Sequence, residues 1–379
     1  MALLFAAAPV GAQPLDFSAT VDAHLGYAVN PQLVTGEDAG SGYGGITVSP
    51  LLSKATSVSQ TTLGGTYSRE QYFSNYGHTE SESVTFNHNQ TFSEYLRGGV
   101  NAGYTRSNNL LLNGNEDLVQ LGNFATGGTT SILSAGANLS WQATGKDSFT
   151  ADGNYIHQKT DNFGFSNTFD EYVADVGYMR ALNARTKIGV RTNVTFYHSP
   201  IQNFGGGPEG GNNRTIGPAL AWQQIISPIW NLDADVGIIF QHSGTPFPSD
   251  SKGLGFHARL CGTYPRSTIC FSGARQSSGS AFGGLRQQLT FSVTYTYRLT
   301  ELSSFSLNGI YSKNSNGNGN GINNAFADSD VFRGSIDYNR KLTDRLSVGV
   351  EGRGGYLKRR SFGSARSLAG SAYLRVKIG

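Results

Sequence analysis

From Asp16 to Asn30 the chain alternates apolar and polar residues with a period of two. Odd positions carry Phe17, Ala19, Val21, Ala23, Leu25, Tyr27 and Val29, and even ones carry Asp16, Ser18, Thr20, Asp22, His24, Gly26, Ala28 and Asn30. Successive side chains of a strand point to opposite faces, so this segment predicts a strand with one greasy and one wet face. The phase carries from hairpin to hairpin to the end of the chain. It predicts strands over 16–29, 43–53, 57–72, 81–92, 95–107, 131–143, 148–158, 170–181 and 185–197. It continues over 214–226, 230–242, 253–263, 267–276, 284–299, 303–313, 329–342, 346–357 and 367–379. The strongest apolar face is Leu285, Leu289, Phe291, Val293, Tyr295, Tyr297 and Leu299.

The connections sort by length. Gly145–Asp147, Leu182–Ala184, Ser227–Ile229, Thr300–Leu302 and Thr343–Arg345 are short, whereas 108–130, 198–213, 243–252 and 314–328 are long, and the two kinds alternate. Aromatic residues gather at both strand ends. Trp141, Trp222, Trp230, Tyr178, Tyr297 and Tyr338 fall near the short turns, and Tyr27, Tyr104, Tyr155, Phe196, Phe240, Tyr311 and Tyr356 near the long loops. Amphipathic rings favour headgroup depth, so two such belts predict strands that cross a lipid bilayer.

Composition agrees. Of 379 residues, 38% are hydrophobic and 15% charged, both low for a soluble protein with a packed core of this size. A net charge of +3 leaves no concentrated basic stripe for nucleic acid. No apolar run approaches a membrane helix. Residues 1–12 read as a signal-peptide-like segment, with small residues Val10 and Ala12 before a cleavage point, which leaves 13–379 as one barrel.

On this alternation, loop sorting and aromatic placement, the chain resembles bacterial outer-membrane β-barrels of porin size. The resemblance implies an all-β, transmembrane, antiparallel up-and-down barrel of about eighteen strands. It places the protein in the outer membrane of a Gram-negative-type bacterium, with lipid outside and a polar lumen inside. The C-terminus departs from the class. Such chains often end in Phe or Trp, and this one ends Tyr373-Leu-Arg-Val-Lys-Ile-Gly379.

Two cysteines flank the turn Tyr264-Pro265-Arg266. A hairpin centred between 265 and 266 sets Cys261 opposite Cys270, both on the inward phase, with Cβ atoms about 4.5–5.5 Å apart. In an oxidising periplasm the pair is expected to form a disulfide, with free thiols as the alternative. No Cys-x-x-Cys-His occurs, so no covalent haem and no other cofactor is expected. His157, His198 and His242 fall on alternate strands, roughly 10 Å or more apart, too far to share one metal. No Ser/His pair is phased onto neighbouring positions, and no enzyme is expected. The glycine clusters at 205–207, 210–211 and 317–321 lack the Lys-Ser/Thr of a phosphate cradle and read as loops.

The inward phase carries charges of both signs. Basic positions are Arg97, Lys187, Arg191, Arg259, Arg286, Arg298, Arg333, Arg353, Arg375 and Lys377. Acidic ones are Asp22, Asp152, Glu171, Asp175, Asp233, Asp235, Asp337 and Glu351. Strips of opposite sign facing each other would set a transverse field that favours dipolar solutes. The 108–130 loop, with Leu111, Glu116, Asp117 and Leu121, is too apolar for solvent and is expected to form a constriction or dock a partner. The leading expectation is a porin-like channel for hydrophilic solutes. Two alternatives stay open: a secretion barrel for an acidic polysaccharide, and a non-conducting barrel that scaffolds a surface complex. Expected partners are outer-membrane lipid and small hydrophilic solutes or a polysaccharide. A homo-oligomer or a periplasmic or surface partner is left open, and nucleic acid is not expected.

Overall fold

The computed structural model describes residues 15–379, apart from 34–35, 37, 109–127, 163–164, 204–207, 245–248, 280–284, 317–328 and 360–362. The signal-peptide-like segment and the four residues named for the 108–130 loop therefore lie outside the described residues.

Eighteen strands form one closed antiparallel sheet. They are β1 (Asp16–Val29), β2 (Gly40–Ala55), β3 (Ser59–Tyr72), β4 (His78–Thr91), β5 (Leu96–Ser107) and β6 (Thr129–Gln142). Next come β7 (Asp147–Asn162), β8 (Phe165–Asn183), β9 (Thr186–Asn203), β10 (Pro208–Ile225), β11 (Trp230–Ser243) and β12 (Ser249–Thr263). The last are β13 (Ser267–Gly279), β14 (Leu285–Arg298), β15 (Ser303–Asn316), β16 (Ser329–Lys341), β17 (Leu346–Arg359) and β18 (Gly363–Ile378). Each strand pairs with the next, and β18 pairs with β1 from Ala19↔Ile378 to Val29↔Leu368. Following direct partners once round the barrel returns to β1 displaced by roughly 22 residues, which for eighteen strands gives a tilt of about 40°. A circular section would then be about 36 Å across, too wide for the wall's own side chains to fill.

The faces are inside out relative to a soluble protein. Leu25, Tyr27, Val176, Leu220 and Leu368 point outward and are at least half exposed. Such a closed barrel satisfies its ladder hydrogen bonds within itself except at the upper end of the β12–β13 pair, and its apolar exterior is stable only against lipid.

The short turns share a device. In six of them a Ser or Thr hydroxyl, on Thr56, Ser93, Thr144, Ser227, Thr300 or Thr343, accepts the backbone N–H two residues on. In a seventh, Asn183 Oδ1 accepts the N–H of Arg185 at 2.8 Å. Side-chain acceptors of this kind fix a tight turn without requiring glycine. Among the described short turns, Tyr264–Ser267 between β12 and β13 shows no such hydroxyl cap. That hairpin instead carries the disulfide Cys261–Cys270, with Cα atoms 4.1 Å apart.

Candidate lumenal site

On β2 to β11 and on β14 to β18, an inward-facing residue near the long-loop end is buried. Tyr43, Glu70, Thr79, Ser107, Thr130, Gln158, Phe169, Tyr197, Asn213, Gln241, Gln288, Ser312, Val331, Leu357 and Ala365 are each under 9% exposed. Since the wall alone cannot cover them, polypeptide must enter the lumen there. The β1–β2 connection does so. Asn30 and Leu33 take left-handed backbone angles (φ 45° and 51°), and Leu33 packs on lumen-facing Val331, Leu357 and Ala365. The β3–β4 connection docks on it: Tyr76 Oη donates to Ala39 O at 2.6 Å, and Gln32 Nε2 donates to Tyr76 O at 3.2 Å.

Beneath this in-folded loop lies a buried polar network. Glu70 on β3 receives hydrogen bonds from Tyr72 Oη at 3.2 Å and Thr79 Oγ1 at 3.3 Å, and pairs with Arg353 at 3.2 Å and His24 at 3.4 Å. Arg353 also donates to Tyr43 Oη at 3.1 Å and lies 3.6 Å from Glu351. Arg353 is on β17, so it reaches Glu70 over three intervening strands, β18, β1 and β2. Those strands would span about 19 Å if the wall were flat, so it turns a tight corner at β1. Gly45 gives the room, because a Cβ there would collide with the His24 ring. Arg375 on β18 grips Asp22 on β1 through two hydrogen bonds, of 2.7 and 3.0 Å.

The acidic and basic strips thus meet side by side where the barrel closes, because β18 adjoins β1. They do not face each other across the lumen there. Arg333 on β16 is one of several described polar side chains with a buried atom, here Nε, that has no hydrogen-bond partner.

Half a turn away, around β10, the lumen holds a cavity of about 690 Å³. Its floor is charged. Arg191 pairs with Asp235 at 3.3 Å and Asp175 at 4.0 Å, and His257 lies 3.5 Å from Asp235 and 3.9 Å from Asp233. Gln223 donates to Asp233 at 2.6 Å. Nearer the outer end, the same cavity is walled by inward-facing Ile132, Ile156, Val173 and Ile239. Asp233, Asp235 and His257 are the described residues best placed to hold a cation, with ligand atoms all within 4.8 Å of one another. The Arg191 guanidinium supplies counter-charge to one of these carboxylates, that of Asp235.

Of the remaining lining residues read from the sequence, Arg97, Asp152, Lys187, Arg259, Arg298 and Asp337 fall on the inward phase of their strands. Arg286 is in β14, but its side chain lies outside the described residues. Asp337 accepts a hydrogen bond from Tyr373 Oη at 2.9 Å. The three histidines at the outer rim do not converge. His157 pairs with Asp170 at 2.8 Å, His198 with Asn212 at 2.7 Å and His242 with Asp250 at 2.7 Å, each across its own hairpin.

No protein-family model and no curated protein matches the sequence. The structure does resemble solved barrels. It aligns with the FrpB iron transporter from Neisseria meningitidis at TM-score 0.51 and 10% identity, covering 93% of this chain and 65% of that one. It also aligns with the siderophore receptor PirA from Acinetobacter baumannii (TM-score 0.49, 8% identity, 96% and 80% covered). A third likeness is to a mutant of the ferric enterobactin receptor PfeA from Pseudomonas aeruginosa (TM-score 0.48, 8% identity, 96% and 80% covered). The fold is that of an outer-membrane β-barrel. With closed ladders, an apolar outer face and alternating loop lengths, this barrel is an integral protein of a Gram-negative-type outer membrane.

Proposed function

We propose that the barrel carries a small amphipathic solute across the outer membrane, through a lumen constricted at its outer end by the β1–β2 connection. One observation carries this reading: the cavity sets an aliphatic wall, Ile132, Ile156, Val173 and Ile239, above an ion-paired floor, Asp175, Arg191, Asp235 and His257. A solute with an apolar body and a dipolar head fits both parts. The floor carries three carboxylates, with Asp233, against one guanidinium and one imidazole, so it favours a head that includes a cation. The fold likeness to a barrel named as an iron transporter supports transport as the general role, and leaves the cargo to the cavity.

Secretion of an acidic polysaccharide is less well supported. Arg191, Arg353 and Arg375 are each engaged by carboxylates, so these three members of the basic set are neutralised along the wall. No enzymatic step is assigned.

The test is flux into proteoliposomes of purified protein. Octanoylcarnitine, a zwitterion with a short apolar tail, should enter several-fold faster than glucose. The Asp235→Asn variant should slow it and leave glucose unchanged. Equal rates for the two solutes would overturn the cavity reading, and no flux of either would leave only the scaffold.

A further inference from the structure

The β12–β13 ladder stops early. It holds eight pairs, from Thr263↔Thr268 to Phe256↔Arg275, whereas the β1–β18, β2–β3, β4–β5 and β10–β11 ladders hold eleven each. Above Phe256, β12 stays paired to β11 up to Ser243↔Ser249, and β13 stays paired to β14 up to Gly279↔Leu285. The wall therefore forks between β12 and β13, at the level of the upper aromatic belt, where Phe240 points outward.

Side chains bridge the fork in place of the missing ladder. Gln241 on β11 accepts from Ser251 Oγ on β12 at 2.8 Å and donates to Ser277 Oγ on β13 at 2.5 Å. On the β13 side of the fork, Arg275 donates to Gln287 Oε1 of β14 at 2.5 Å. Gln287, on β14, reaches past β13 until its amide nitrogen is 3.1 Å from where a Cβ of Gly253 would lie. Gly253 and Gly255 leave the inward side of this stretch of β12 without side chains. Five residues below the last pair, the Cys261–Cys270 disulfide ties the two strands together.

The lumenal cavity extends to the fork. Its lining includes the inward-facing Ile239 and Gly255 and also Ile238 and Phe256, which belong to the outward phase. Leu254 and its β11 partner Ile238, about half exposed, form an apolar lip on the lipid side of the β12 edge.

We propose that the β12–β13 fork is a lateral portal through which an acyl chain from the outer leaflet enters the lumenal cavity, with the disulfide fixing its lower limit. The proposal builds on the transport reading and names the class of cargo: an acylated amphipath whose tail enters beside Leu254 and lies on the aliphatic wall. Weak side-chain bridges at the top allow the strand edges to part. The covalent tie below keeps the parting from running down the barrel.

The experiment uses the full chain in nanodiscs of phosphatidylcholine that carries a nitroxide on its acyl chain. A bimane label is placed at Ala274→Cys, inward beside the fork. A control label is placed at Ser83→Cys, inward at the same level on β4, half a barrel away. Quenching should be several-fold stronger at 274 than at 83. Adding Gly253→Leu, which fills the edge of the fork, should bring it down to the control value, and Gln241→Ala, which removes the bridge, should raise it. Equal quenching at 274 and 83 overturns the portal, as does quenching that Gly253→Leu leaves unchanged. The two readings fail separately. Octanoylcarnitine flux without selective quenching sinks the portal alone, and selective quenching without flux sinks transport alone.

Discussion

Asp22 and Arg375 stand directly opposite each other on the first and last strands, and two hydrogen bonds of 2.7 and 3.0 Å join them across the closure of the barrel. The pair is separated by 353 residues of sequence, so it forms only when the ring is complete. Its bidentate geometry is the strong form of an ion pair, while partial exposure to the lumen screens it. Asp22→Asn and Arg375→Gln should each cost about 1 kcal/mol of barrel stability, and the double variant should cost little more than either single one. Urea unfolding in liposomes, followed by the heat-dependent shift on gels, measures this. Fully additive losses would show that the two residues act independently.

The β12–β13 hairpin makes a second case. It has the shortest of the ladders compared above and no hydroxyl-capped turn among its described residues, and it is the one with a disulfide. Cross-linking across so short a loop restricts the unfolded chain by roughly 2–3 kcal/mol. The Cys261→Ser/Cys270→Ser protein should lose about that much stability, with the loss showing as faster proteolysis at this hairpin before global unfolding. Maleimide-polyethylene glycol should label neither cysteine of the native protein until a reductant is added. Labelling without reductant would contradict the bond.

Much of this architecture is legible in the chain. Alternation phased through each turn gives eighteen strands, and for β1 the bounds agree at both ends. The residue opposite Cys261 follows from counting out from the turn. Strand ends near the long loops do not follow. β8 starts at Phe165 and β9 runs on to Asn203, because outside the bilayer ladders extend through residues with no apolar phase. The lumen is harder still. Leu33 stands in a connection with no alternating pattern, and only the fold shows that it meets Val331, Leu357 and Ala365 from the far end of the chain. The partners of His24, Glu70 and His257 are hidden for the same reason, since they are set by closure and by the corner at β1. The repeated Ser or Thr that opens the short turns was visible in the sequence as a recurrent residue at a fixed offset.

Leu33 tests the constriction. It is 2% exposed and holds the β1–β2 connection against the inner wall. Truncation to alanine removes buried contacts that typically contribute about 2–3 kcal/mol, more than enough to free a short loop from its docked position. Leu33→Ala should therefore raise single-channel conductance in planar bilayers and lengthen open events, while the barrel keeps its resistance to urea. Leu33→Met, which keeps the volume, should behave as the parent does. Unchanged conductance in Leu33→Ala would place the constriction elsewhere.

Two neighbouring residues on β5 separate lipid from lumen. Ala102 points outward and Asn101 inward, both are exposed, and both sit near the middle of the apolar band. Arginine at the lipid-facing position must hold its charge in hydrocarbon or draw water in, at about 2–4 kcal/mol near the midplane. Arginine at the lumenal position keeps its hydration. Ala102→Arg should thus slow folding into liposomes and destabilise the folded barrel by that amount, and Asn101→Arg should leave stability within about 0.5 kcal/mol of the parent. Asn101→Arg should change the channel in another way. Asn101 lines the cavity that holds the Asp175, Arg191 and Asp235 group, so the added cation should shift the reversal potential in a salt gradient toward anions. If both variants fold equally well, the assignment of the two faces, and with it the inward position of every charged residue argued above, would be reversed on this strand.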